Sequence, residues 1–176
     1  MKSKETQLLE LFFNHPTRQW HFEALLREAS ITRSKASLWL KKFIQEGFIK
    51  RIKPQGKMPY YVSKHESAAY RNRKRLYAQQ QLYESGLLNY LHNLSAETVV
   101  LFGSFARSDW HAGSDVDVFV YGDEELDLST YETTLHREIQ VFTCKNNEEL
   151  EKYGAGLVNN IQRGTFIKGN VVDMRV

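Results

Sequence analysis

The chain has 176 residues and 41% hydrophobic content, enough for one medium domain or two small ones with real cores. Its single cysteine, Cys144, excludes an internal disulfide and a cysteine-based metal site. No apolar run approaches the roughly 20 residues that cross a bilayer. We therefore expect a soluble, cytoplasmic protein with no membrane partner.

Charge divides the chain more sharply than its net value of +3 suggests. Residues 1–75 carry a net charge of +11, whereas residues 76–176 carry −8. A basic segment favours phosphate backbones as partners, and an acidic one favours metal ions. The alternative is that both are solvated surface charge.

Three amphipathic stretches follow one another in the basic half. KETQLLELFFN and WHFEALLREAS predict two short helices, and ITRSKASLWLKKFIQEGFI predicts a third. Thr32 or Ser34 would cap the third helix, and Gly47 would end it in the left-handed conformation. Its buried stripe is expected to consist of Ala36, Leu40, Phe43 and Ile44.

Two β-rich runs come next, at residues 48–52 and 60–62, joined by a Pro/Gly turn that bears Lys53 and Lys57. This order of three helices and a hairpin over residues 4–64 resembles the winged helix-turn-helix DNA-binding domains of prokaryotic regulators. The resemblance implies double-stranded DNA as a partner and a homodimer that reads two half-sites.

The same resemblance implies that different residues contact the bases and the phosphates of DNA. The start of the third helix would face the bases, and later cations would reach phosphates. The residues nearest the bases are Arg33, Ser34, Lys35 and Ser37, and the phosphate contacts are Lys41, Lys42, Arg51, Lys53 and Lys57. For any one of these residues, the alternative is a solvated face.

Residues 66–94 have helical spacing with one break at Ser85-Gly86. This stretch predicts a connecting helix. We therefore expect a first domain at residues 1–64, a connecting helix at 65–95 and a second domain at 96–176.

The acidic half contains two strand-like runs, TVVLF and DVDVFV, separated by GSFARS and a polar loop. Residues i and i+2 share one face of a strand, so Asp115 and Asp117 would point together and repel each other. A divalent cation removes that repulsion. Mg²⁺ typically takes one or two carboxylates together with substrate phosphates.

Gly103-Ser104, ten intervening residues and Asp115-Val116-Asp117 resemble the signature of the polymerase-β-like nucleotidyltransferase superfamily, in its minimal form. GSFARS is close to that family's usual Gly-Ser-x-Ala-Arg-Gly, with Ser108 in place of the last glycine. The resemblance implies that the phosphates of ATP or another NTP are held by Gly103, Ser104, Arg107 and Ser114. It also implies that Asp115 and Asp117 bind Mg²⁺ or Mn²⁺.

The family completes its site with a third carboxylate, and this chain departs from that pattern. The matching strand is REIQVFT, where Gln140 stands between Ile139 and Val141. An amide binds a divalent ion less well than a carboxylate and cannot act as a base near neutral pH. Glu138, on the same strand face, is the candidate that could take over the catalytic role.

These patterns predict an α+β protein: an N-terminal winged helix-turn-helix and a C-terminal small α/β nucleotidyltransferase-like domain with a mixed sheet. The Gly-Ala-Gly run at residues 154–156 is expected to be a loop, followed by a helix end, Gly164 and a final short strand. Three functions stay open: a DNA-binding regulator that senses nucleotide, an active transferase of nucleoside monophosphate, and an antitoxin partner of a HEPN-type protein. The missing carboxylate favours the first over the second.

Overall fold

The computed structural model describes residues 2–170. The chain divides into two compact units, Met1–Lys74 and Arg75–Val176. The boundary falls inside one helix, so its first residues belong to the first unit and the rest to the second.

The first unit contains three helices and a small antiparallel sheet with strand order β1-β3-β2. The predicted helices and both predicted strands are present, and the two-residue strand β1 adds to them. The elements are α1 (Lys4–Asn14), β1 (Trp20–His21), α2 (Phe22–Ala29), α3 (Arg33–Gln45), β2 (Ile49–Ile52), β3 (Tyr60–Ser63) and the first residues of α4 (Ala68–Glu84).

The ends of α3 follow from its caps. Thr32, rather than Ser34, is the N-cap, and its hydroxyl accepts from the Lys35 amide. Gly47 has φ +77°, the left-handed conformation expected after the helix. Ile44 was expected in the buried stripe but is 39% exposed, because the inner face of α3 is already filled by other side chains. Those buried side chains are Ala36, Leu40 and Phe43.

The first turns of α4 complete the core of the first unit. The Tyr70 hydroxyl donates to the Phe12 carbonyl at 2.8 Å, and the Ser63 hydroxyl donates to the same oxygen at 3.0 Å. Lys74 Nζ donates to the Phe13 carbonyl at 3.1 Å. These bonds satisfy carbonyls near the end of α1, which the helix itself leaves unpaired.

The second unit is built on a mixed sheet of order β6-β5-β4-β7. β5 pairs with β6 in parallel, and the other pairs are antiparallel. The elements after α4 are α5 (Leu87–His92), β4 (Thr98–Phe102), α6 (Gly103–Arg107), β5 (Val116–Tyr121), α7 (Ser129–Leu135), β6 (Ile139–Cys144), α8 (Asn147–Glu151), α9 (Gly154–Gln162) and β7 (Thr165–Lys168). The predicted break after α4 is present, with Gly86 at φ +84°.

One face of this sheet packs against α8 and α9. Val100, Phe119 and Cys144 from the strands are buried with Leu150 and Ile161 from the helices. The Gly-Ala-Gly run at residues 154–156 is the first turn of α9, so the expected loop is wrong. Apolar residues at helical spacing later in the segment are buried on one side of α9, and this packing stabilises a helix that begins at Gly154.

Candidate functional site

The candidate site lies where β4 ends and β5 begins, because the two strands are antiparallel. Phe102, the last residue of β4, pairs with Asp117. Directly opposed residues of an antiparallel pair point to the same face, so Asp117 projects on the side of the sheet that carries α9. The chain turns at Gly103 immediately beside this carboxylate.

Gly103 has φ +70°, a conformation that other residues rarely adopt. A Cβ atom added at this position would overlap the Asp117 carboxylate. The backbone of α6 therefore approaches Asp117 as closely as only glycine permits. This close approach lets the Ser104 amide donate a hydrogen bond to that carboxylate.

The environment of Asp117 disfavours its charge. Burial raises the pKa of Asp117 above its usual value, and the nearby Asp115 carboxylate raises it further. Arg107 and the Ser104 amide lower the pKa in part. Asp115 and Asp117 are thus close enough to repel, as their spacing predicted.

Gln140 is the direct neighbour of Asp117 across the parallel pair of β5 and β6. Two residues earlier in the chain, Asp115 comes directly before β5 and Glu138 comes directly before β6. Glu138 is exposed, and its carbonyl accepts from the Val116 amide at 2.9 Å. In residues 2–170, no three His, Cys, Asp or Glu side chains converge as a metal-binding group.

The donor atoms available fit a divalent cation that takes its remaining ligands from a substrate. Asp115 and Asp117 supply carboxylate oxygens, and Gln140 lies beside them with an amide oxygen. Oxygen donors of this kind suit Mg²⁺, which keeps several positions for water or phosphate. A divalent cation bound here would offset the repulsion that raises the pKa of Asp117.

The loop that leads into Asp115 is held by Arg137. Its Nη1 donates to the carbonyls of His111 and Ser114, both at 2.8 Å, and lies 3.3 Å from the Ala112 carbonyl. The guanidinium also lies over the Trp110 ring, 5.0 Å from its centroid. This one side chain therefore fixes the backbone immediately before the two aspartates.

Two site residues have structural partners of their own. Ser114, expected at the nucleotide, accepts from the His111 amide at 2.9 Å through its hydroxyl. Ser108 ends α6 at φ +65°, which explains why the motif usually has glycine at this position. Its hydroxyl accepts from Arg75 Nε at 3.3 Å.

Arg107, the last residue of α6, contacts α9. Its Nη1 donates to Asn160 Oδ1 at 2.9 Å, and its Nε pairs with Asp109 Oδ2 at 3.2 Å. A pocket of about 230 Å³ lies between α6 and α9, and Gly103 and Arg107 are among its lining residues. The pocket therefore shares Gly103 with the carboxylate pair.

All nine residues expected at DNA are exposed side chains of the first unit. Two of them are already in ion pairs: Arg33 with Glu23 at 2.7 Å, and Lys42 with Glu5 at 2.8 Å. The hydrogen bond to Glu5 raises the pKa of Lys42. The other cations of the set, Lys35, Lys41, Arg51, Lys53 and Lys57, make no ion pair with the residues that the structure describes.

Sequence reasoning did not find Arg137, Asn160 or Arg163 as site residues. Arg137 immediately precedes Glu138, so its proximity to β6 was visible in the sequence, but its pairing with the loop carbonyls depends on the register of β5 and β6. Asn160 and Arg163 reach the site only because α9 is a helix that begins at the glycines.

No helix within residues 2–170 is both long and apolar enough to span a bilayer.

Comparison with known proteins gives one match. No curated protein and no solved structure matches the chain. A family model described as the nucleotidyltransferase domain matches residues 85–175, more than half of the chain. The glycine turn, the paired aspartates and the mixed sheet all lie inside this range. The chain belongs to the nucleotidyltransferase domain family.

Proposed function

We propose that the protein is a DNA-binding regulator whose second unit binds an NTP together with Mg²⁺ or Mn²⁺ and transfers nucleotide weakly or not at all. The observation that carries this proposal is the position of Gln140 directly beside Asp117, where the family has its third carboxylate. Two carboxylates and a neighbouring amide support cation and phosphate binding. They leave no evident base for an acceptor hydroxyl.

When bound, the cation would supply charge neutralisation for the triphosphate and would lower the pKa of a coordinated oxygen. The residues of this chain would do the rest. Asp115 and Asp117 would hold the cation, and Arg107 would neutralise phosphate charge. Gly103 keeps the backbone of α6 against the Asp117 carboxylate, beside the place where the cation would bind.

Calorimetry with Mg²⁺ and ATP tests the metal and nucleotide part. Replacing both aspartates, Asp115→Asn with Asp117→Asn, removes two charges and keeps their shape. Folding should survive and stability should rise slightly, because the repulsion is lost. We expect affinity for the metal–nucleotide complex to fall by at least about tenfold. Unchanged affinity in this double variant would show that the aspartates are structural.

The first unit supports the DNA-binding part by its architecture and charge. Three helices precede a β2–β3 hairpin whose connection carries Lys53 and Lys57, as a winged helix-turn-helix requires. The exposed face of α3 presents Ser34, Lys35 and Lys41 together. Arg33 and Lys42 pair with surface carboxylates, and such weak pairs can be exchanged for contacts with DNA.

Binding of the full chain to a pool of random duplexes tests this part. Affinity should fall steeply as salt rises, because bound lysines displace counterions from phosphates. Lys53→Ala with Lys57→Ala should weaken binding to all sequences alike, whereas Lys35→Ala should also change sequence preference. Lys152→Ala, which removes one positive charge from the second unit, is the matched control for Lys35→Ala. If the chain binds no duplex at low salt, the proposed DNA-binding function is refuted.

A further inference from the structure

The pocket between α6 and α9 contains residues that no motif assigns. Its volume is about 230 Å³, and it lies wholly within the second unit. α6 contributes one wall and α9 the other. The lining residues are Gly103, Ala106, Arg107, Gly156, Asn159, Asn160, Arg163 and Gly164.

The chemistry of this lining favours an anion. Two guanidinium groups, Arg107 and Arg163, face the pocket, and no carboxylate is among its lining residues. Arg163 is exposed and forms no ion pair with any residue in the described part of the chain. Arg107 has Asp109 as an exposed ion-pair partner, so Arg163 is the uncompensated cation among the lining residues. A multiply charged anion would pair with both guanidinium groups.

The lining also leaves one side of the pocket open. Three glycines and an alanine place backbone rather than side chains along the walls. A Cβ at Gly156 would meet nothing within 4 Å, so this side of the pocket is open. A Cβ at Gly164 would lie 2.6 Å from the Leu101 carbonyl, so the chain returns to the sheet closely beneath the pocket.

The contacts of Arg107 show how a ligand would be received. Its guanidinium is shared between the Asp109 carboxylate and the Asn160 side-chain oxygen. The Asp109–Arg107 pair is exposed on both sides, so it contributes little stability and is easily exchanged. Phosphate oxygens can replace Asp109 as the partner of Arg107 while Asn160 holds the same guanidinium in position.

We propose that this pocket binds the outer phosphates of the triphosphate, with Arg163 and Asn160 of α9 forming the half of the site that the motif lacks. The inference rests on the proposed function, and it gives the nucleotide an orientation. The outer phosphates would lie between α6 and α9, and the triphosphate would extend past Gly103 towards Asp117. Arg163 acts by bidentate phosphate recognition, for which a guanidinium is better suited than an ammonium group.

Equilibrium binding of tripolyphosphate without metal, of Mg²⁺ with ATP, and of adenosine tests this proposal on the full chain. Arg163→Gln should weaken tripolyphosphate binding by about tenfold or more, and Arg163→Lys by less. Adenosine binding should not change. Lys152→Gln, which removes one exposed cation outside the pocket, should alter tripolyphosphate affinity by less than about twofold. Melting curves check that each variant is folded.

The outcomes separate this inference from the function on which it rests. If Arg163→Gln leaves both phosphate ligands unchanged while the Asp115→Asn, Asp117→Asn variant loses Mg²⁺–ATP, the pocket assignment is wrong and the proposed function stands. If tripolyphosphate binding depends on Arg163 while the aspartate variant keeps Mg²⁺–ATP, the pocket stands and the metal site is withdrawn. Wild-type protein that binds neither ligand overturns both.

Discussion

Gly103 determines how closely the backbone of α6 can approach the carboxylate of Asp117. Its positive φ and the overlap that any Cβ would create act in the same direction. Most glycines in a turn satisfy only the first constraint. At Gly103, the space that a side chain would occupy is also filled by the Asp117 carboxylate.

Gly103→Ala should therefore destabilise the second unit and remove metal–nucleotide binding together. We expect the free energy of unfolding to fall by at least about 2 kcal/mol, since alanine must adopt a left-handed backbone and displace Asp117. Urea unfolding and calorimetry measure the two effects. Gly156→Ala is the matched control for stability alone, since this residue also lines the pocket between α6 and α9: it lies in a helix with open space around it, so stability should stay level or rise by up to about 1 kcal/mol. Equal losses in both variants would contradict this explanation.

We propose that the residue at position 140 determines whether the second unit transfers nucleotide. If the third carboxylate is absent, Gln140→Asp should tighten Mg²⁺ binding and raise transfer of label from α-labelled ATP, because a carboxylate then adjoins Asp117. If Glu138 has taken over that role, the wild type should already transfer label and Glu138→Gln should abolish the transfer while ATP still binds. Strong wild-type transfer that survives Glu138→Gln would exclude both explanations.

At the level of elements, the loop between α6 and β5 depends on a residue from another part of the chain. Arg137 lies between α7 and β6, yet its guanidinium is the donor for three carbonyls of residues 111–114. Pairing of β6 with β5 brings it there. The loop that carries Asp115 is thus held by tertiary structure in addition to the hydrogen bonds between its own residues 111 and 114.

Arg137→Gln should weaken Mg²⁺–ATP binding more than it lowers stability. The loop would lose its donor and its ring contacts, so we expect affinity to fall by about tenfold and the free energy of unfolding by about 1 to 2 kcal/mol. Arg137→Lys keeps the charge but not the planar fork, and should recover binding only in part. A fall in stability with unchanged affinity would show that the loop position does not matter for binding.

Sequence patterns predicted most elements because their signals are local. Helical spacing located α1 to α3, and apolar runs located β4 and β5. The start of α9 was missed because a Gly-Ala-Gly run predicts a loop unless later packing is known, and β1 was missed because two residues carry no periodicity. For the site, the motif supplied Gly103, Asp115 and Asp117. Arg137 and Arg163 required the register of the sheet and the placement of α9.

At the scale of the whole molecule, the division of charge follows the division between the two proposed binding functions. The basic half contains α3 and the hairpin, and the acidic half contains the carboxylate pair. Cations in the second unit are few, so Arg107 and Arg163, which both line the pocket between α6 and α9, are a notable share of them. The acidic background should make binding of a free anion at that pocket depend on these two residues.

The stability of the fold should fall at high pH, and Tyr70 should be one cause. Burial raises the pKa of the Tyr70 hydroxyl from 10.0 to about 12. The folded state therefore favours the neutral phenol: its contribution is complete below pH 10 and is lost as pH rises from about 10 to 12. A shift of this size corresponds to about 3 kcal/mol.

Tyr70→Phe should remove that part of the pH dependence. Stability at pH 8 should fall by only about 1 kcal/mol, because the Phe12 carbonyl keeps its hydrogen bond from Ser63. Urea unfolding between pH 8 and 12 compares the two chains, and the difference should narrow and reverse as the pH rises. Parallel curves across this range would show that Tyr70 ionises normally.

The lone cysteine has a practical consequence for fluorescence work on this protein. Cys144 is fully buried at the end of β6, and burial raises the pKa of its thiol to about 11. At pH 7 about one thiol in ten thousand is ionised, and that thiolate is shielded from reagents. Cys144 therefore need not be replaced before dye attachment. In a Gln79→Cys variant, the introduced thiol is exposed and would be the one that reacts with a maleimide. Slow labelling of Cys144 itself would then report each opening of the second unit's sheet.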